Sequence, residues 1–338
     1  MNLVLLLATM LVFHDLQYGP RGDAQGEGTT FAGERWVDCE GRAYHTHRSG
    51  QFFDAYLPAK PGEMLADAPA MLFLHGGAWC QRYDKDGECR DLIGKLVERG
   101  FVVISMDYAL QNDIFTEPSA GNRPGASFSD MLRDIDLMVS HLVGYLPSIG
   151  VKADRIAIGG ASAGAHLSAL YAIDDGRREI RGLAHALPIW FVVDIVGPMD
   201  LRIDLREPLV GALEGGRAEM ELRLFTTLME RLVGEDLHGK YRAGGMAAVD
   251  ETLKRFSPMA LVTVKTPPFI LAYNKLHPFA SSDGLISTDN CSGMEDALAA
   301  AKVRSVSRFC WFRPHGQYNE RQLDWIADSA LEFARGGR

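Results

Sequence analysis

The chain has 338 residues, 47% hydrophobic and 23% charged, proportions ordinary for a packed globular protein and against disorder. Its net charge of -9, from 35 basic and 44 acidic residues, comes without a long basic run, so neither nucleic acid nor an anionic membrane surface is an expected partner. The five cysteines, Cys39, Cys80, Cys89, Cys291 and Cys310, form no C-x-x-C pair, which argues against a zinc ribbon or redox motif; Cys80 and Cys89 can close a small loop or stay reduced.

Leu3 to Phe13 (LVLLLATMLVF) is an apolar run of signal-peptide length. It lacks a basic n-region and an A-x-A-like cleavage site, and it is too short to span a bilayer. Two readings stand: a cleaved leader or anchor, or a short helix packed on the body. The second, with a cytoplasmic location, is favoured. Residues 14–34 are rich in Gly and polar groups and read as a flexible lead-in, so the expected folded domain is 35–338. No later segment reaches transmembrane length, so no membrane span is expected.

From there the elements alternate. Phe52–Leu57 reads as a strand stopped by Pro58, and Ala70–Leu74 as a buried strand ending at Gly76-Gly77. Glu88–Arg99 has helical spacing, Phe101–Met106 is a buried strand, and Ser129–Leu146 is an amphipathic helix with Ser129 as N-cap. Arg155–Gly159 reads as a strand, Ala163–Ile173 as a helix, and Ile189–Val196 as a strand. A helical stretch runs on to about Phe256. Strand Phe269–Tyr273, a helix at Met294–Ala301, strand Val303–Phe312 and helix Gln322–Arg335 close the chain. Strands alternating with helices predict an α/β protein with a mostly parallel twisted sheet and helices on both faces. The helical insert at about 199–256 is placed to cap the strand ends, where active sites of such sheets lie.

Gly160-Ala161-Ser162-Ala163-Gly164 follows an apolar strand and opens a helix. A G-x-S-x-G match alone is weak, but this context is what a nucleophile elbow requires. The small flanking residues let the turn be sharp, and the helix N-terminus aims amide donors at a developing oxyanion. His75-Gly76-Gly77-Ala78-Trp79 also follows a strand. Its two glycines let backbone N–H groups face an acyl oxygen, so Gly76, Gly77 and Ala163 are the candidate oxyanion hole, with Trp79 a candidate for the substrate pocket. The bland alternatives are a Gly-rich turn with a solvent serine and a simple tight turn.

The candidate general base is His315, in Pro314-His315-Gly316 between the last strand and the closing helix, in the chain order Ser then His. His75 belongs to the oxyanion loop. His166, one turn after Ser162, is expected to pack under the elbow. His45 and His47 alternate on one strand face with no third ligand near, so no metal is expected.

The chain resembles the hormone-sensitive-lipase-like and kynurenine-formamidase-like branch of the α/β-hydrolases. The likeness runs from about Phe52 to the C-terminus, through HGGAW at 75–79, Asp107-Tyr108, ADRIAIGGASAGAHL at 153–167, GPMDL at 197–201, and SP at 257–258 with PPFILAY at 267–273. It implies a serine hydrolase of small-molecule esters or an aryl formamide, without metal or cofactor. It also implies an acid in the loop after strand Phe269–Tyr273, at a position held here by His277, which cannot do a carboxylate's work. A further departure is Ala109, where the relatives carry Arg. Asp283, later in the same loop, and Asp200, at a neighbouring strand end, are the two candidates for the acid. Three functions compete: a carboxylesterase on small or medium acyl esters, favoured here; an aryl formamidase; and a catalytically dead binding protein, motivated by His277. The oligomeric state is not legible.

Overall fold

A computed structural model describes residues 4–7, 10–19, 36–37, 43–44, 51–58, 65–80, 89–111, 125–173, 186–204 and 220–336. Eleven strands are present among them: β1 (Val4–Leu7), β2 (Met10–Gln17), β3 (Trp36–Val37), β4 (Ala43–Tyr44), β5 (Phe52–Pro58), β6 (Ala70–Leu74), β7 (Val102–Met106), β8 (Ile156–Ala161), β9 (Ile189–Ile195), β10 (Phe269–Lys275) and β11 (Ser305–Trp311). Nine of them build one sheet in the order β1-β2-β5-β7-β6-β8-β9-β10-β11, and β3 pairs with β4 apart from it. From β7 to β11 every pairing is parallel, while β1, β2 and β5 add an antiparallel edge. The central parallel strands β6 (AMLFL) and β7 (VVISM) are short apolar runs buried at every position, whereas the edge strand β11 is only partly buried. Full burial of the central strands is what a sheet covered on both faces demands.

Two layers of helix supply the cover. On one face α1 (Arg90–Glu98) packs against α7 (Glu320–Gly336) and against β7. On the other, α2 (Phe128–Ser148) packs on α3 (Ala163–Ala172), and a 3-10 turn at Pro258–Leu261 touches both α3 and α6 (Asp289–Ala300). The insert contains a helical turn at 201–204, then α4 (Met220–Val233) and α5 (Leu237–Lys254). Gly234 at φ 73 ends α4 and the Asp236 carboxylate accepts the Gly239 N–H at 2.7 Å, so the stretch is two helices rather than one.

Two local expectations need correction. The N-terminal run is not a helix: residues 4–7 and 10–17 are strands, and β2 continues the sheet by pairing with β5. An uninterrupted apolar run carries no period with which to separate the two. The N-cap of α2 is Ser127, not Ser129; its hydroxyl takes the Asp130 N–H while Asp130 takes the Ser127 N–H, a reciprocal capping box. Cys80 and Cys89 are both buried and form no disulfide with each other, the reduced one of the two readings left open above. His45 and His47 lie outside the described residues. No helix among the described residues is long and apolar enough to cross a membrane.

Candidate active site

Ser162 stands between β8 and α3 at φ 52, ψ -119, a region that L residues avoid. Glycines on either side make the turn possible. A Cβ on Gly164 would lie 2.2 Å from the Leu74 carbonyl and 2.4 Å from that of His75, and one on Gly160 would lie 2.5 Å from the Leu74 carbonyl. The start of α3 thus sits directly on the C-terminal end of β6. The Ser162 N–H is tied to the Ile195 carbonyl at 2.8 Å, which fixes the elbow to β9.

Ser162 Oγ lies 3.0 Å from His315 Nε2, and His315 Nδ1 lies 2.8 Å from Asp283 Oδ2. An ionised carboxylate only accepts, so Nδ1 carries the imidazole proton and Nε2 is free to accept from the serine. Asp283 is 1% exposed, and its other oxygen accepts the N–H groups of Leu285 at 3.0 Å and Ile286 at 2.8 Å. The His315 N–H also donates to the Asp283 carbonyl at 3.0 Å, so acid and base are joined through backbone as well as side chain.

The other candidates are engaged elsewhere. Asp200 accepts the Arg202 N–H at 2.9 Å and pairs with the Arg202 guanidinium, whose bonds hold its carboxyl below the usual range against the opposing effect of burial. His277 is exposed at the start of the loop, which folds back through Leu276 N–H to Ser282 carbonyl and returns Asp283 to the strand end. The carboxylate that meets His315 therefore comes later in the loop than the resemblance implied.

In the candidate oxyanion loop Gly77, Ala78 and Trp79 all have positive φ, at 108, 48 and 60. His75 Nδ1 lies 2.7 Å from the Gly76 carbonyl and holds it. Across the same planar trans peptide the Gly77 N–H must point the opposite way. The His75 ring stacks on Tyr108 at 4.5 Å, and the Tyr108 hydroxyl donates to the His75 carbonyl at 2.8 Å. Among the described turn and loop hydrogen bonds none takes the N–H of Gly76 or Gly77, and that of Ala163 lies in the first turn of α3, where helices have no internal partner. Trp79, expected at the substrate pocket, is 6% exposed, its ring edge-on to Phe128 and to His166. His166 is fully buried below the elbow, with Nε2 2.7 Å from the Phe256 carbonyl, and burial pushes its pKa down to about 4.

A buried pair, Tyr273 and Asp194, lies beside the elbow. The single Tyr273 hydroxyl hydrogen has two acceptors in reach, Asp194 Oδ2 at 2.7 Å and the Gly197 carbonyl at 2.6 Å. The hydroxyl donates between these two oxygens, and Asp194 Oδ1 accepts the Gly197 N–H at 2.9 Å. Burial raises Asp194 to about 7, against the lowering effect of these bonds. One group of the described residues has metal-ligand composition, Glu230, Asp236 and His238, far from the serine in sequence; Glu230 Oε1 already takes both the His238 N–H and Nδ1.

Residues that the sequence pattern did not single out also support the site. Asp204 and Asn290 hold the far end of the acid loop, and neither belongs to a recognisable motif. The partial signal was Asp283-Gly284 itself, a turn-forming pair within a loop of small residues.

A mostly parallel sheet with a strained serine elbow after one strand and a histidine after the last is the α/β-hydrolase fold. Within that class the BD-FAE family model matches residues 53–279, and the chain belongs to that family. It is 30% identical over 261 residues to the isoprenylcysteine alpha-carbonyl methylesterase of Arabidopsis thaliana, a match covering 75% of this chain and 50% of the relative. The kynurenine formamidase of Drosophila melanogaster is 27% identical over 135 residues, 40% of this chain and 39% of that one. The chain thus spans about half or less of the length of these relatives. Among solved structures, an inhibited esterase B from Lactobacillus rhamnosis superposes with a TM-score of 0.60 at 18% identity, over 98% of this chain and 88% of that one.

Proposed function

We propose that the protein is a serine hydrolase that cleaves small or medium carboxylic esters through an acyl-enzyme. The observation that carries this reading is the unbroken line from Ser162 Oγ to His315 Nε2 and from His315 Nδ1 to Asp283. In the proposed reaction Ser162 Oγ attacks the ester carbonyl carbon and His315 Nε2 takes the serine proton. The carbonyl oxygen becomes an oxyanion facing the N–H groups of Gly76, Gly77 and Ala163. Its collapse breaks the bond to the alcohol, which leaves with the proton from His315. Water, deprotonated by the same imidazole, then releases the acid and frees Ser162. Asp283 stabilises the imidazolium in both halves.

The methylesterase relative supports an ester substrate. A formamide is the second reading, favoured by the likeness to the kynurenine formamidase. A carboxylate on His315 argues against an inactive binding protein, since a binder has no use for an oriented base. The test is a fluorophosphonate probe with mass spectrometry, followed by p-nitrophenyl esters against N-formylkynurenine. The adduct should fall on Ser162, Ser162→Ala should neither label nor turn over, and esters should show the higher kcat/KM. An adduct on another residue overturns the mechanism, and a higher kcat/KM for the formamide replaces the substrate class.

A further inference from the structure

Asp204 stands in the helical turn that follows β9, well away from Ser162 in the chain and with no bond to the histidine recorded. Its two carboxylate oxygens point into the loop that carries Asp283. Oδ1 accepts the Ser287 N–H at 2.7 Å and Oδ2 accepts Asn290 Nδ2 at 2.7 Å. Asn290, fully buried, in turn accepts the Asp200 N–H at 2.9 Å, which closes a ring between this turn and the N-terminus of α6. The segment thus pinned is short: Asp283 N–H bonds the Ile286 carbonyl, Ser282 bridges Ser287, and Leu285 and Ile286 give their N–H groups to the Asp283 carboxylate. Ser287, the residue held by Asp204, directly follows the second of those donors. Ser287 and Thr288 also bond the Ser281 carbonyl, within the loop, while the bonds of Asp204 and Asn290 tie this end to the turn after β9.

From this geometry we infer that Asp204 is a positioning residue for the triad acid, clamping residues 283–287 so that Asp283 meets His315. The inference rests on the reading of Ser162, His315 and Asp283 as the reacting triad. It has a consequence in pH. Burial raises Asp204 to about 6, against the lowering effect of its two hydrogen bonds, and the neighbouring charges of Asp283 and Asp289 push the same way. Of the other titratable groups around it, Tyr273 on β10 senses its charge and Asp200 lies in the same turn with Arg202. When Asp204 takes up a proton, one oxygen becomes a donor facing the Ser287 N–H or the Asn290 amide, and the clamp loses an acceptor. Activity should then fall on the acid side for two reasons, protonation of the base and release of the acid loop.

The experiment is the pH dependence of kcat for the full chain on a p-nitrophenyl ester. The wild type should lose kcat below about pH 6 more steeply than one proton allows. Asp204→Asn, which presents one amide donor to groups that are themselves donors, should lower kcat at pH 7.5 by about a hundredfold. KM should change little, and the acid limb should become a single-proton one. Folded Asp204→Asn protein with wild-type kcat, or with lowered kcat but an unchanged steep acid limb, overturns the inference. If Asp204→Asn does not fold by circular dichroism, Asn290→Asp replaces it. That variant keeps the bond to Asp200 but sets two carboxylates face to face, so its loss of kcat should deepen as pH rises through about 6. A pH-independent effect there overturns the inference equally. Ser162→Ala run alongside separates the failures: turnover by Ser162→Ala removes the triad reading itself, whereas an inert Ser162→Ala with an indifferent Asp204 removes only the clamp.

Discussion

Asp283 and Asp200 both end up buried near strand ends, yet they bond differently. Asp283 meets an imidazole nitrogen and two backbone donors, whereas Asp200 meets the guanidinium two residues along its own turn. Exchanging a carboxylate for an amide therefore has opposite consequences at the two positions. Asp283→Asn removes the acceptor that fixes the tautomer of His315 and should lower kcat by about 10⁴. Asp200→Asn loosens an ion pair with Arg202 and should leave kcat near that of the wild type. Steady-state kinetics on one ester checks both; a collapse in Asp200→Asn with normal rates in Asp283→Asn would exchange their roles. In the sequence the serine and the histidine were legible because their surroundings are local. Gly160 and Gly164 flank Ser162 directly, and His315 follows the last strand. The acid is not encoded that way. His277 occupies the position that motif spacing assigns to it, and only the fold-back between Leu276 and Ser282 returns Asp283 to the end of β10. A contact made by loop geometry has no spacing to be read.

Among the elements, α3 meets β6 so closely that no side chain fits between them at Gly164. A methyl group on Gly164 would fall against the carbonyls of Leu74 and His75, which are backbone and cannot rotate away. Gly164→Ala should force α3 off the sheet and cost about 1–3 kcal/mol of stability. It should also displace the first-turn amides and reduce phosphonate labelling. Gly144, within α2, meets nothing within 4 Å of an added Cβ, so Gly144→Ala should instead stabilise by about 0.5–1 kcal/mol. Urea denaturation of the two variants checks the contrast, and equal effects would mean that the approach of α3 to β6 is not what requires glycine. The central parallel strands were legible because complete burial leaves unbroken apolar runs. The same uniformity hid the nature of residues 4–17, where an apolar run fits strand or helix and only pairing with β5 decides. The true cap of α2 was missed by two residues because Ser127 and Ser129 are chemically alike, and only the reciprocal bond with Asp130 separates them.

At the scale of the whole molecule, two buried titratable groups set opposite trends of stability with pH. Asp194 has its folded pKa raised from 3.8 to about 7. Between those values the folded protein keeps a proton that the unfolded chain gives up. Its contribution is complete below 3.8 and fades as pH rises through about 7, at most about 1.4 kcal/mol per pH unit. His166 works the other way, since a folded pKa lowered from 6.5 to about 4 makes acid favour the unfolded chain across that window. Asn in place of Asp194 keeps the bond from the Gly197 N–H, offers the Tyr273 hydroxyl an amide donor while that hydroxyl donates to the Gly197 carbonyl, and carries no ionisable proton. Asp194→Asn should therefore gain stability relative to the wild type as pH rises from 4.5 to 7.5, measured by urea midpoints at each pH. An offset independent of pH would mean that Asp194 is ionised in the folded state.

The hydrogen bond between Ser162 and His315 spans 153 positions of chain, and the histidine lies beyond β11, the last strand added to the sheet. A ribosome emits the elbow, the oxyanion loop and most of the parallel sheet before it emits that imidazole. The growing polypeptide consequently lacks its proposed base for most of its synthesis. The pairing of β11 with β10 is what places His315 beside Asp283. A chain stopped before that strand lacks the proposed base, and ester turnover should be absent from it.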